Sequence, residues 1–370
     1  MSARNPAILA ATNGEESTME FGIQFFPTNG PEQQSAADFW ANALKCVDMC
    51  DALGYTSVRT VEHYFGRYGG YSPSPVAFLS AAAMRTQKAR LVTGAVLPAF
   101  SHPLKLASEL MFLDAVSNGR LEAGFARAFL PIEFERFGVS LDESRARFEE
   151  AMTIIGKVLT QEKVSYQGKF WSFPETTVLP RPTQQPRPPF WVAAVQTEAS
   201  FEAAGRAGNG IMAIPVAGAT LRKLLTVYRN AWKEAGHPGN GRVMVAFHMY
   251  CSPSMDDALA TAGPEITAYL KTFADAARAW TQGTKSKDYP GYDKIVEHLD
   301  NATVESQIAN NSAWIGTPET IRKQVAEYSE ACGGFDIASL QVNYGSMDQE
   351  KARASMGLFA REVMPHFKRA

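Results

Sequence analysis

Residues 89 to 126 read "ARLVTGAVLPAFSHPLKLASELMFLDAVSNGRLEAGFA", and this stretch decides the fold. A short apolar run (89 to 97) is followed by a helix-length segment (102 to 119) and then by a second short apolar run (120 to 126). Two short apolar runs around such a segment make a β-α-β unit with parallel strands. The same rhythm extends in both directions. Strand candidates are "EFGIQFF" (20 to 26), "SVRTVE" (57 to 62), 89 to 97, 120 to 126, "FWVAAV" (190 to 195), "GIMAI" (210 to 214), "RVMVAFHMY" (242 to 250) and "DIASLQVN" (336 to 343). Eight parallel strands can close on themselves and remove both sheet edges. The pattern therefore predicts an α/β chain folded as a (β/α)8 TIM barrel with insertions, an open doubly wound sheet being the alternative.

Between the strands lie helix candidates such as "ADFWANALKCVDMCDALG", whose Phe39, Ala43, Cys46, Val47 and Cys50 share one face and whose Gly54 suits a C-terminal cap. Two stretches break the rhythm. Residues 160 to 189 hold a hairpin candidate around Gln167-Gly168 and a proline-rich return, and residues 254 to 315 form a longer insertion positioned as a lid or as a plain surface elaboration. The expected organisation is an N-terminal arm over 1 to 18, too short in its apolar patch for a signal peptide, and one barrel domain over 19 to 370.

Hydrophobic residues make up 45% of the 370 and charged residues 20%, the balance of a folded soluble chain. The net charge is -2, and no long basic run is present to attract nucleic acid or an anionic membrane. Cys46, Cys50, Cys251 and Cys332 form no disulfide or zinc framework, which fits reduced thiols in a cytoplasmic protein.

In a parallel barrel the chemistry lies at the C-terminal strand ends. There the sequence sets Phe25, Phe26 and Pro27, then Glu62, His63 and Tyr64, then Leu97 and Pro98, then Arg127, then Gln196 and Thr197. Such a mouth is aromatic and apolar, with one histidine and one arginine. "QTEAS" opens a helix, where free N-H groups either take a simple cap or hold a phosphate, with Arg127 as a compensating charge or as half of a structural ion pair. His63 is read either as a buried, hydrogen-bonded residue or as a proton carrier near neutral pH. It has no partner at metal-ligand spacing, since neighbouring Glu62 points to the opposite face, so no metal is expected. Serine elbow, Walker loop and dinucleotide fingerprint are absent from the sequence.

The chain resembles the bacterial luciferase-like flavin-dependent monooxygenases, most closely the luciferase alpha subunit type, over about residues 19 to 367. The resemblance rests on "TVEHYF", on "TGAVLPAFSHPLKLASELMFLDAVSNGRLEAGFARAF", on "VAAVQTEASFEAAGRAG", on "GTPETI" and on "ASMGLFAREVMPHF". It implies a barrel that binds reduced FMN from a separate flavin reductase and activates O2 as a flavin hydroperoxide to oxygenate a small-molecule substrate, an aldehyde or a biosynthetic intermediate. His63 matches the family's catalytic histidine and Arg127 the arginine that grips the FMN phosphate. Val195, Gln196 and Thr197 fall in the phosphate turn, and Gly94-Ala95 falls where the family has a non-proline cis peptide beneath the isoalloxazine. Ala126 stands where the luciferase alpha subunit has a reactive cysteine, and Tyr64 where it has a second histidine, so light emission is not expected.

Phe25, Phe26, Phe129 and Tyr250 are expected to enclose the substrate pocket and keep water out. The resemblance and two apolar-rich segments, "PVAFLSAAAMRT" and "HPLKLASELMFLDAV", predict a homodimer. Two rival readings are a deazaflavin-dependent oxidoreductase of the same superfamily and a non-catalytic flavin-binding partner subunit.

Overall fold

The structure is a computed structural model describing residues 19–367. The arm expected over 1–18 lies outside the described residues. Eleven strands follow in chain order: β1 (Glu20–Phe25), β2 (Ser57–Thr60), β3 (Arg90–Thr93), β4 (Leu121–Phe125), β5 (Lys163–Gln167), β6 (Ser172–Thr177), β7 (Phe190–Ala194), β8 (Gly210–Ala213), β9 (Val243–Cys251), β10 (Ala313–Gly316) and β11 (Ile337–Gln341). Parallel pairing runs β9-β11-β1-β2-β3-β4-β7-β8, and β8 pairs back onto β9 with Ile211 opposite Val243. The sheet is thus closed, and the fold is the expected (β/α)8 TIM barrel rather than an open sheet.

Strand residues alternate between two environments, as a pleated strand requires. Outward residues such as Phe21, Ile23, Phe25 and Val58 pack under the helices. Inward residues Val92, Trp191, Met212, Met244 and Ile337 fill the barrel together with Ala95. The helices are bounded by the expected signals. Ser35 accepts from Asp38 N at the start of helix Ala36–Asp48, and its Phe39, Ala43, Cys46 and Val47 are buried. Met49 then interrupts the predicted single helix, and the short piece Cys50–Leu53 ends at Gly54 with φ 77°. All four cysteines are free and buried.

Three differences from the pattern have local causes. The apolar runs at 57 to 62 and 89 to 97 extend past the paired strands, which stop at Thr60 and Thr93. Hydrophobicity marks burial, and the strand-end loops here are buried too. Between Thr93 and Val96 stands the Gly94–Ala95 peptide, which is cis, and Val96 then bridges to Phe125. The third difference is β10, four residues inside the stretch expected to be helical and loop-like. It pairs with His248 to Cys251, beyond the part of β9 that β8 uses.

The two irregular stretches are a β5–β6 antiparallel hairpin and a long excursion after β9. The excursion contains helices Met255–Ala277, Tyr292–Asp300 and Val304–Ala309 before β10. Among the described residues, no helix is long and apolar enough to cross a membrane.

Phe247 joins β9 to its surroundings. It stacks on Trp314 with centroids 4.0 Å apart and meets Tyr328 edge-on at 5.0 Å. Phe247→Ala should cost about 3–5 kcal/mol. Chemical denaturation should show it as a lower midpoint at unchanged slope, and a loss below about 1 kcal/mol would contradict this packing.

Candidate functional site

Beyond β2 the chain runs Val61, Glu62, His63, and the two polar side chains part company. Both are buried, at 6% and 7% exposure. Glu62 accepts from the Tyr64 hydroxyl at 2.5 Å and from the Leu97 N-H at 3.1 Å. His63 Nδ1 lies 3.0 Å from Glu133 Oε1, which also accepts from the Tyr64 N-H at 3.0 Å. Glu133 is fully buried and sits in helix Pro131–Phe137, seventy positions along the chain. Gly69, with φ 78°, stands against the imidazole, and a Cβ there would lie 2.6 Å from His63 Cβ. The first glycine of "YGGY" therefore gives the histidine its room.

Burial pushes the Glu62 carboxyl up to about 7, outweighing the two hydrogen bonds that favour its charge, and pushes the Tyr64 phenol up as well. His248, inward on β9, is held down to about 4 by burial, so its imidazole is neutral at physiological pH. Glu62 therefore holds its proton to higher pH than an ordinary carboxyl, whereas Glu133 faces the His63 imidazole.

The residues expected to bind a cofactor lie around the next strands. Arg59 of β2 occupies the place where a Gly94 side chain would be, its Nε 2.0 Å from an ideal Cβ. Ala95 packs with Ala126, Trp191 and Met212, two small residues side by side on the floor of the mouth. Because β4 and β7 pair, with Phe125 opposite Val192, Arg127 and the 195–197 turn leave the barrel on neighbouring strands. Thr197 is the N-cap residue of helix Glu198–Arg206, and its hydroxyl caps no N-H of that helix. Gln196 is exposed, and Val195 is half-buried. Small floor residues, a bare helix start and an arginine beside it fit a flat ring system carrying a phosphate.

Arg127 is in fact engaged from above. Its Nη1 donates to the Asp288 carbonyl at 3.1 Å, and its guanidinium lies 4.9 Å from the Tyr289 ring centroid. The Asp288 side chain accepts from Arg145 N at 3.1 Å and from Ser144 Oγ at 3.5 Å. Nearby, the Tyr289 hydroxyl donates to the Ala128 carbonyl and Trp280 Nε1 to the Phe129 carbonyl. The excursion after β9 therefore lies over the mouth.

Of the residues expected to enclose the pocket, Phe26 and Phe129 belong to one aromatic cluster with Tyr68, Phe273 and Trp280. Both lie against His63, at 5.5 and 5.9 Å between centroids. Phe25 does not join them. It points outward and packs on Phe78, because consecutive strand residues face opposite ways. Tyr250 is likewise elsewhere, packed with Ala258, Ile266, Ile315 and Tyr344 under the helix Met255–Ala277.

Other residues at this mouth escaped the sequence reading. Glu133 was hidden because nothing in "PIEFERF" tells which acid turns inward. Arg59 carried a signal, a lone cation inside the buried run "SVRTVE". Tyr269, which meets Phe26 at 5.7 Å and His248 at 4.5 Å, comes from the insertion and has no local mark.

Comparison with known proteins places this arrangement. The family model for luciferase-like monooxygenase matches residues 19–333. The oxygenase component of flavin-dependent trigonelline monooxygenase from Acinetobacter baylyi is 29% identical, over 94% of this chain and 96% of that protein. The crystal structure of the monooxygenase RslO1 from Streptomyces bottropensis is 39% identical with a TM-score of 0.84, covering 94% of this chain and 100% of the other. The oxygenating constituent of 3,6-diketocamphane monooxygenase from Pseudomonas putida, solved with FMN, shares the fold at 22% identity and a TM-score of 0.78, over 94% and 98% of the two chains. The chain belongs to the luciferase-like monooxygenase family of flavin-dependent enzymes.

The Glu62 carboxyl yields a pH prediction. Its folded value of about 7 lies above the ordinary 4.5, so the folded state holds the proton longer than the unfolded chain. The stability that Glu62 contributes should be fullest below pH 4.5 and decline by roughly 3 kcal/mol or less as pH rises to 7. Glu62→Gln should flatten that slope in denaturant titrations, and an undiminished slope in the variant would show that another group titrates.

Proposed function

We propose that this luciferase-like monooxygenase is the oxygenase component of a two-component system. It takes reduced FMN from a separate flavin reductase and uses O2 to oxygenate a small organic substrate. The observation that carries this reading is the meeting of two sets of residues at one mouth. One is the His63–Glu133 pair, and the other is the Gly94–Ala95 floor with Arg127 and the 195–197 turn beside it. It is supported by the relative named as an oxygenase component and by the related structure that contains FMN.

Reduced FMN, when bound, supplies the electrons that activate dioxygen. Arg127, the main-chain groups of Val195 and Gln196 and the Thr197 hydroxyl would hold its phosphate, the arginine giving up the Asp288 carbonyl to do so. Gly94, Ala95 and Ala126 leave a flat surface for the ring. Phe26, Phe129 and the lid aromatics exclude water, so that the reactive state is not lost to solvent. Glu133 accepts from Nδ1-H of His63 and fixes the tautomer, which leaves Nε2 to take a proton from the substrate or return it. Glu133 is thus a positioning residue, and His63 the residue that moves the proton.

We further infer self-association through the faces of helices Pro75–Ala83 and Pro103–Val116. Met84, just past the first of these, and Phe112, on the second, are 63% and 52% exposed. A monomeric mass in light scattering would refute it.

Three variants separate the roles. His63→Ala should lower oxygenated product roughly 100-fold or more while FMN affinity stays within about twofold of the parent. Turnover equal to the parent would sink the catalytic assignment. Arg127→Ala should weaken reduced FMN about 10- to 100-fold in an anaerobic titration, and unchanged affinity would remove its phosphate role. Glu133→Gln should shift the pH profile of kcat without changing FMN affinity. A parent chain that binds a reduced deazaflavin and not reduced FMN would overturn the whole reading.

A further inference from the structure

Four inward residues stand in register across half of the barrel. Arg59 of β2 is level with Gln24 of β1, Gln24 with Gln341 of β11, and Gln341 with His248 of β9. In strand order this half lies opposite β4 and β7, which carry Arg127 and the 195–197 turn. Arg59 is 8% exposed. Its Nη1 donates to Gln24 Oε1 at 2.7 Å and its Nη2 to the Gly94 carbonyl at 2.9 Å, while its Nε has no hydrogen-bond partner. No carboxylate pairs with it among the described residues.

At the other end of the row His248 Nε2 is buried without a partner, and so is the hydroxyl of Tyr344, whose ring lies 5.0 Å from the imidazole. Tyr269 of the lid links the row to the catalytic side. It meets His248 at 4.5 Å, and through Tyr68, at 6.0 Å, it reaches His63, a further 5.1 Å on.

A buried guanidinium without a counter-charge costs several kcal/mol, by order of magnitude. The groups left unsatisfied along the row, Arg59 Nε, His248 Nε2 and the Tyr344 hydroxyl, are donors or can donate, so what completes the row is a group rich in acceptor oxygens and negatively charged. A neutral hydrocarbon or aldehyde would leave the cation bare.

We propose that Arg59, with His248 at the far end of the same row, receives an anionic oxygen of the substrate, a carboxylate or an ionised enol or phenol. The enzyme thereby selects organic acids and acidic enols over their neutral counterparts. This rests on reading the mouth as the oxygenase site. The same positive charge would also suit the anionic edge of reduced flavin, so the test must tell the two ligands apart.

Calorimetric titration of the full chain with 2-naphthoate and with its neutral isostere 2-naphthamide does so, run with and without FMN. The acid should bind the parent about tenfold or more tightly than the amide. Arg59→Met should abolish the preference, Arg59→Lys should retain part of it, and FMN affinity should stay within about twofold in both variants. His248→Phe, which leaves the Arg59 hydrogen bonds in place, should weaken the acid about threefold or more and spare the amide, so the test stands even if Arg59→Met does not fold. Equal affinity of the parent for acid and amide overturns the proposal. So does an acid preference that survives in Arg59→Met, and so does a loss of FMN affinity in Arg59→Met in place of the acid preference, which would assign the charge to the flavin. Because the acid and amide are also compared without FMN, a parent that fails to bind FMN counts against the oxygenase reading alone.

Discussion

The pairing of β8 back onto β9 is the constraint from which the rest follows. Closing the ring satisfies the last strand edges, and it divides every strand residue between an outer and an inner face. The outer face can be uniformly apolar, because helices cover it. The inner face must be filled from within. Met212, Met244 and Ile337 do this in one row, while His248, Gln341, Gln24 and Arg59 form another that continues through Val92 to Glu122. Polar side chains also turn inward near the strand starts, where buried Glu122 pairs with Arg90 and Arg242.

That division explains what could be read from the chain alone. The eight barrel strands were legible because each is a short apolar run between helices, and the strand-end positions of His63, Arg127 and Gln196-Thr197 followed from them. The cis peptide at Gly94–Ala95 came from resemblance, since no local pattern distinguishes it from other Gly-Ala pairs. Phe25 and Tyr250 were misplaced for one physical reason. An aromatic at a strand end is apolar whichever way it points, and only the pairing register says which face it takes. Glu133 and Tyr269 lay beyond reach because their roles arise from contacts with residues distant in the chain, His63 for the first and Phe26 for the second. β10 was too short to carry a period.

The mouth keeps its carboxyls in separate functions by giving them different surroundings. Glu62 and Glu133 lie on either side of one short segment, and both are buried. Glu62 meets a phenol and a peptide N-H and tends to keep its proton, whereas Glu133 meets an imidazole and a peptide N-H. The end of β2 thus sets Glu62 against a phenol and a peptide N-H, and His63 against a carboxylate brought from the helix Pro131–Phe137. The adjacent positions in "EHY" find different partners because they occupy different faces.

Asp288 is tied at both ends. Its carbonyl meets Arg127, while its carboxylate meets the first turn of helix Ser144–Thr160. To free the arginine, the chain must either rotate this peptide about its own anchored side chain or tear the anchor away. The first gives up one hydrogen bond, and the second gives up the contacts to Ser144 and Arg145 as well. The covering segment is tied as well through the Tyr289 hydroxyl and Trp280 Nε1 to the carbonyls of Ala128 and Phe129, so releasing the arginine at residue 288 leaves the cover itself in place.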